Sequence, residues 1–182
     1  MAQNDRSLAI GVSYVGFGAY LGAGVPAATY THIKDVFEGS VAFNFNEPTQ
    51  TNINIEGTDD PRWIVNRKAD PDSIELAIPS PSAEDMVMFC GGKNNNGVWE
   101  APTSIPTINM SMKMITEPYD GKYTEYVVVN GSVVGRLSQA PGKEQSELLL
   151  VKITKQLAVD ATGTLKTPFT RAVKEVPAEP EG

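Results

Sequence analysis

The stretch from Ser40 to Gly57 reads SVAFNFNEPTQTNINIEG, and its alternation decides how the chain is expected to fold. Val41, Phe43 and Phe45 take every second position of its first half, and Ile53 and Ile55 do the same in its second. Between them fall Ala42, Asn44 and Asn46, then Asn52, Asn54 and Glu56. Successive side chains of a strand point to opposite faces, so a period of two marks half-buried strands. With a Pro48-containing turn between the halves, the stretch predicts a β-hairpin with its apolar face on the core and amides on the other. Asn is a poor strand former, and a solvated face more often carries Thr, Lys and Glu. An amide face suits a surface turned toward something it must not hold tightly. An ordinary acidic, exposed hairpin accounts for the same letters.

Charge sharpens the choice. From Val36 through Pro61 there is no Lys or Arg, while Glu38, Glu47, Glu56, Asp59 and Asp60 are present. Phosphate binding relies on Lys and Arg that displace counterions, so this segment repels nucleic acid. The whole chain of 182 residues has a net charge of -7, which argues against gripping DNA or an anionic membrane. That length predicts a single domain with a real core. One Cys forms no internal disulfide, and no signal peptide or apolar run long enough to span a membrane is visible, so the expectation is a soluble protein made and used in a cytosol.

Punctuation sets the organisation. A first strand is expected over Leu8–Val15, a Gly- and Ala-rich loop over Gly16–Ala28, and a strand over Thr29–Val36. The loop's small residues, among them Gly16, Gly18, Gly22 and Gly24, build no core, so a neighbour would have to order it. Arg62–Arg67 and Ser73–Ile78 read as short strands around the turn Asp70-Pro71-Asp72. Ser82 is a helix N-cap, with Glu84 and Asp85 in the first turn, Met86, Phe89 and Cys90 on one face, and Gly91-Gly92 as the stop. Beyond it, Ile108–Thr116 places Met110, Met112 and Met114 on one face. Lys122–Asn130 and Val133–Gln139 are expected to form a hairpin about Asn130-Gly131. Leu148–Val159 is the longest expected strand. The fold class is mainly β, an antiparallel sandwich or barrel with one flanking helix, over residues 1–169, with 170–182 a flexible Pro-rich tail.

Little in the chain assembles into chemistry. His32 is the sole His and lies within an expected strand, Cys90 follows Phe89 and reads as a packed thiol, and the Gly16–Gly18 pair lacks the spacing of a phosphate loop. Glu38, Glu47 and Glu56 do not form a carboxylate pair. No catalytic residue, cofactor or metal is expected. Long apolar strands such as Val127-Val128-Val129 call for burial on both faces, in the monomer or against another copy.

The order of these features carries a resemblance. A small-residue loop precedes a strand ending in IKDVFEG, then come FNFNEPTQTNI, the acidic EGTDDP and the helix PSAEDMVMFCGG. From about Val25 to Phe169 this resembles the tail tube (major tail) proteins of tailed bacteriophages, chiefly in the turn Glu47-Pro48-Thr49 and the ending Phe89-Cys90-Gly91-Gly92. The resemblance implies a structural protein of the virion tail, assembled in the host cytoplasm, with no enzymatic role. It implies homohexameric rings that join their sheets and stack into a hollow tube, contacts with other tail proteins, no membrane, and DNA passing without tight binding. On that reading Asn44, Asn46, Asn52, Asn54 and Glu56 face the lumen, and Gly16, Gly18, Gly22, Gly24 and Arg62 lie at contacts between subunits. The tubes of contractile injection and type VI secretion systems share the implied architecture. A carbohydrate-binding β-sandwich is the alternative of another class. It would need an exposed aromatic platform, for which Trp63 and Trp99 are the candidates, Trp63 being expected to pack.

Overall fold

The computed structural model describes residues 7–68 and 70–177. Strands β1 (Tyr14–Ala19), β2 (Thr31–His32), β3 (Ala42–Asn44), β4 (Thr49–Ile53), β5 (Trp63–Arg67) and β6 (Ser73–Pro79) precede the helix α1 (Ala83–Cys90). There follow β7 (Lys93–Asn95), β8 (Val98–Glu100), β9 (Ile108–Ile115), β10 (Lys122–Gln139), β11 (Leu148–Lys155), β12 (Ala158–Val159), β13 (Leu165–Lys166) and β14 (Phe169–Glu175). The described residues are mainly β with antiparallel pairing and one helix, as expected. The main sheet runs β2-β1-β9-β10-β11-β6-β3 and is sandwich-like, not a closed barrel.

The long strand β10 makes the sheet fork. One of its edges pairs with β9 from Glu125 to Val133. The other pairs first with β14, over Lys122–Val128, and then with β11, over Gly131–Gln139. The expected hairpin at Asn130-Gly131 is therefore corrected: the pair sits inside one continuous strand, at a register shift in the β9 ladder. Gly131 is there for space, since a Cβ would lie 2.4 Å from Ile153 Cγ1. A bulge bends a strand and strengthens its twist, which lets β10 pass from one half of the sheet to the other.

Both halves and α1 contribute to one core, which holds Val15, Phe17, Leu76, Met112, Val133 and Leu149 among others. Ser82 and Asp85 form a reciprocal capping box: the Asp85 amide donates to Ser82 Oγ at 3.1 Å, and the Ser82 amide donates to Asp85 Oδ2 at 2.9 Å. Phe89 meets Phe17 edge-on at 4.9 Å, and Gly135 lets the helix approach β10 closely.

Four more expectations are corrected. The stretch Ser40–Gly57 is not a hairpin, because β3 pairs with β6 and β4 pairs with β5. The first strand starts six residues later than expected and contains Gly16 and Gly18. The strand Leu148–Val159 breaks at Gln156-Leu157, leaving Leu157 exposed. Residues 170–175 belong to β14 and do not form a free tail; 178–182 lie outside the described residues.

Candidate functional site

Between β3 and β6 the chain leaves the sheet, and β4 with β5 forms a separate two-stranded arm. Every residue of both strands is exposed. The register pairs Thr49 with Arg67, Thr51 with Val65, and Ile53 with Trp63, so these side chains share one face of the arm. The opposite face carries Gln50, Asn52, Ile64 and Asn66. An isolated two-stranded ribbon is marginal in water, and this one presents Ile53, Val65 and Trp63 to solvent, Trp63 at 51% exposure. Trp63 is thus not packed as expected; Arg62 instead lies over its ring at 4.5 Å.

One carboxylate ties down the arm's base. Asp72 accepts a hydrogen bond at 2.8 Å from Nζ of Lys68, the residue just past β5, and another from Lys155 Nζ at the end of β11. Its Oδ1 also faces the backbone amide of Asn46 at 3.4 Å, in the segment between β3 and β4 that leads to the arm. Burial pushes the Asp72 carboxyl up, but the hydrogen bonds and charges of Lys155 and Lys68 outweigh it and hold the pKa at about 2.

Beside this base lies an aromatic cluster. Phe43 packs against Phe45 at 5.4 Å and Tyr126 at 5.2 Å, and Phe45 meets Phe169 edge-on at 5.3 Å. Lys155 and Arg171 cap the rings of Phe45 and Tyr126. Phe43 and Phe45 stay 44% and 45% exposed, so of the apolar face expected to pack inward only Val41 reaches the core. Phe43 also lines a cavity of about 530 Å³, with Met114, Val12 and Val36 in its wall and the exposed Glu38 and Glu117 at its rim.

The expected lumen residues fall in two groups. Asn44 and Asn46 belong to β3 and its continuation, while Asn52 lies on the arm's amide face, with Asn54 and Glu56 in the turn region beyond β4. All five are exposed, but no single hairpin face unites them. Of the expected contact glycines, only Gly22 is free at the surface, with φ +76° and open space around it. Gly16, Gly18 and Gly24 are buried by their own chain: a Cβ at Gly18 would lie 2.2 Å from the Thr29 carbonyl oxygen, and one at Gly24 would lie 2.9 Å from the Asp160 nitrogen. Arg62 is exposed on the arm.

Two features escaped the sequence reading, the exposed Trp63 and the carboxylate-rimmed cavity. The only prior signal was that Arg62 ends the long cation-free stretch beside a Trp. Of the residues considered for chemistry, His32 stacks on Tyr14 at 4.6 Å, and burial pushes the Cys90 thiol up. Trp99 is half-buried and donates its Nε1 hydrogen to the Gly91 carbonyl at 2.8 Å. Among the described residues no three His, Cys, Asp or Glu side chains could together hold a metal ion, and no helix is long and apolar enough to cross a membrane.

Comparison with known protein families finds none that matches the chain, and comparison with curated proteins finds no match.

Proposed function

We propose that this chain is a structural subunit of a phage tail tube, one copy of a homohexameric ring whose stacks enclose a channel for DNA. The observation that carries the reading is the arm: an exposed ribbon that presents Ile53, Trp63 and Val65 together on one face, which no other described residue covers. Such a surface is stable when another copy buries it, and repeated contacts between unlike surfaces build rings or filaments. The cation-free, acidic segment that leads into the arm fits a wall along which DNA slides without sticking. Asn44, Asn46, Asn52, Asn54 and Glu56 are the residues assigned to that wall. A sugar-binding role is less well supported, because the exposed Trp63 ring already has Arg62 across it.

The test is sedimentation of the purified chain over a concentration series, with negative-stain imaging of the heaviest fraction. Rings or tubes support the reading. A single monomer boundary at every concentration, with no filaments after nucleating tail proteins are added, contradicts it.

A further inference from the structure

The arm and the cavity carry matching chemistry. The arm presents the chain's one exposed Trp with Arg62 beside it and Arg67 on the same face. Among the described residues neither Arg has an ion-pair partner. The cavity offers apolar walls from Met114, Val12, Val36 and Phe43. At its rim stand Glu38 and Glu117; among the described residues neither has an ion-pair partner and no Lys or Arg lines the cavity. No arm residue lines the cavity of its own chain.

We infer that the cavity seats the arm of a second copy, with Trp63 against the apolar walls and Arg62 between the carboxylates of Glu38 and Glu117. The volume of about 530 Å³ lies in the range of pockets that enclose small ligands, so it accommodates one indole with part of a neighbouring side chain. Trp and Arg are the residue types that most often dominate an interface when a pocket desolvates them. The contact joins two unlike surfaces, so each copy offers one arm and one cavity and the contact propagates. The inference deepens the tube reading and takes from it the identity of the partner as a second copy.

The experiment is sedimentation velocity on the full chain and three preparations. These are Trp63→Ala, the double variant Glu38→Arg with Glu117→Arg, and an equimolar mixture of the two. All changed positions are exposed, and circular dichroism checks that each variant folds. Each variant alone is expected to weaken assembly at least about 30-fold, the scale of a central interface residue. The mixture is expected to form heterodimers and stop there, since one good arm meets one good cavity. Arg62→Glu combined with Glu38→Arg and Glu117→Arg is expected to recover assembly relative to the cavity variant. If Trp63→Ala or the cavity variant assembles like the wild type, this pairing is wrong while the tube reading stands. If the mixture forms no heterodimer, the pairing is also wrong. A wild type that never assembles overturns both.

Discussion

Replacing Gly18 by Ala separates a glycine used inside the subunit from one used between subunits. The added Cβ would lie 2.2 Å from the Thr29 carbonyl oxygen and 2.6 Å from Ala27 Cβ. Ordinary contacts between such atoms are about 3.5 Å or more, so backbone 27–29 must retreat by roughly 1 Å. No rotamer relieves the clash, because the nearest atom is main chain. Overpacking of this kind costs about 1–3 kcal/mol. For a domain of this size each kcal/mol lowers Tm by about 2–4 °C, which gives a loss of about 2–12 °C. Thermal unfolding of dilute protein, followed by circular dichroism, measures it. Gly22→Ala is the control: it meets open space and carries only the strain of φ +76°, about 1 kcal/mol. A Gly18→Ala protein with unchanged Tm but impaired assembly would instead place Gly18 at a contact between subunits.

Gly131→Ala should destabilise by about 1–3 kcal/mol, because its Cβ would meet Ile153, which is buried on all sides; urea unfolding reads the change. Asp72→Asn should cost about 1–3 kcal/mol at neutral pH, since Lys155 and Lys68 lose their shared carboxylate. The Asp72 carboxyl is held at about 2, below its ordinary value of 3.8. Its contribution is therefore complete above pH ~4 and is lost as the pH falls toward 2, and Asp72→Asn should lack that part of the acid dependence in urea titrations. Replacing Asn44, Asn52 and Asn54 together by Lys should change stability by less than about 0.5 kcal/mol per site, because all three are exposed. In assembled particles it should slow DNA release, measured by dye uptake, while tubes still form.

Local signals were legible where one element sufficed to define itself. The Ser82 cap, the Gly91 stop and the strand Ser73–Pro79 follow from short-range chemistry. The alternation that puts Met110, Met112 and Met114 on one face holds, and Met112 and Met114 of that face are almost fully enclosed. Alternation tells which side chains share a face, but not which strand lies alongside. Alternation alone therefore makes a local pair of Ser40–Gly57, whereas β3 and β4 each pair with a later strand. Asn130-Gly131 misled for a related reason. Its letters favour a turn, yet Gly serves there to admit Ile153. The strand β14 was hidden by its charges, which answer to partners far along the chain, as Lys174 does to Glu125 at 2.6 Å. The arm's alternation was visible in the sequence. That no other described residue covers it was not, because exposure depends on the whole fold.

The most direct test of the tube account is a cryo-electron-microscopy reconstruction of the assembled particle. Stacked sixfold rings around an open channel are the expected result. Asn44, Asn46, Asn52, Asn54 and Glu56 should line the inner wall, and the arm face that carries Ile53, Trp63 and Val65 should be buried against another copy. A particle without a channel, or a channel wall built from Lys and Arg with these five residues on the outside, would contradict it.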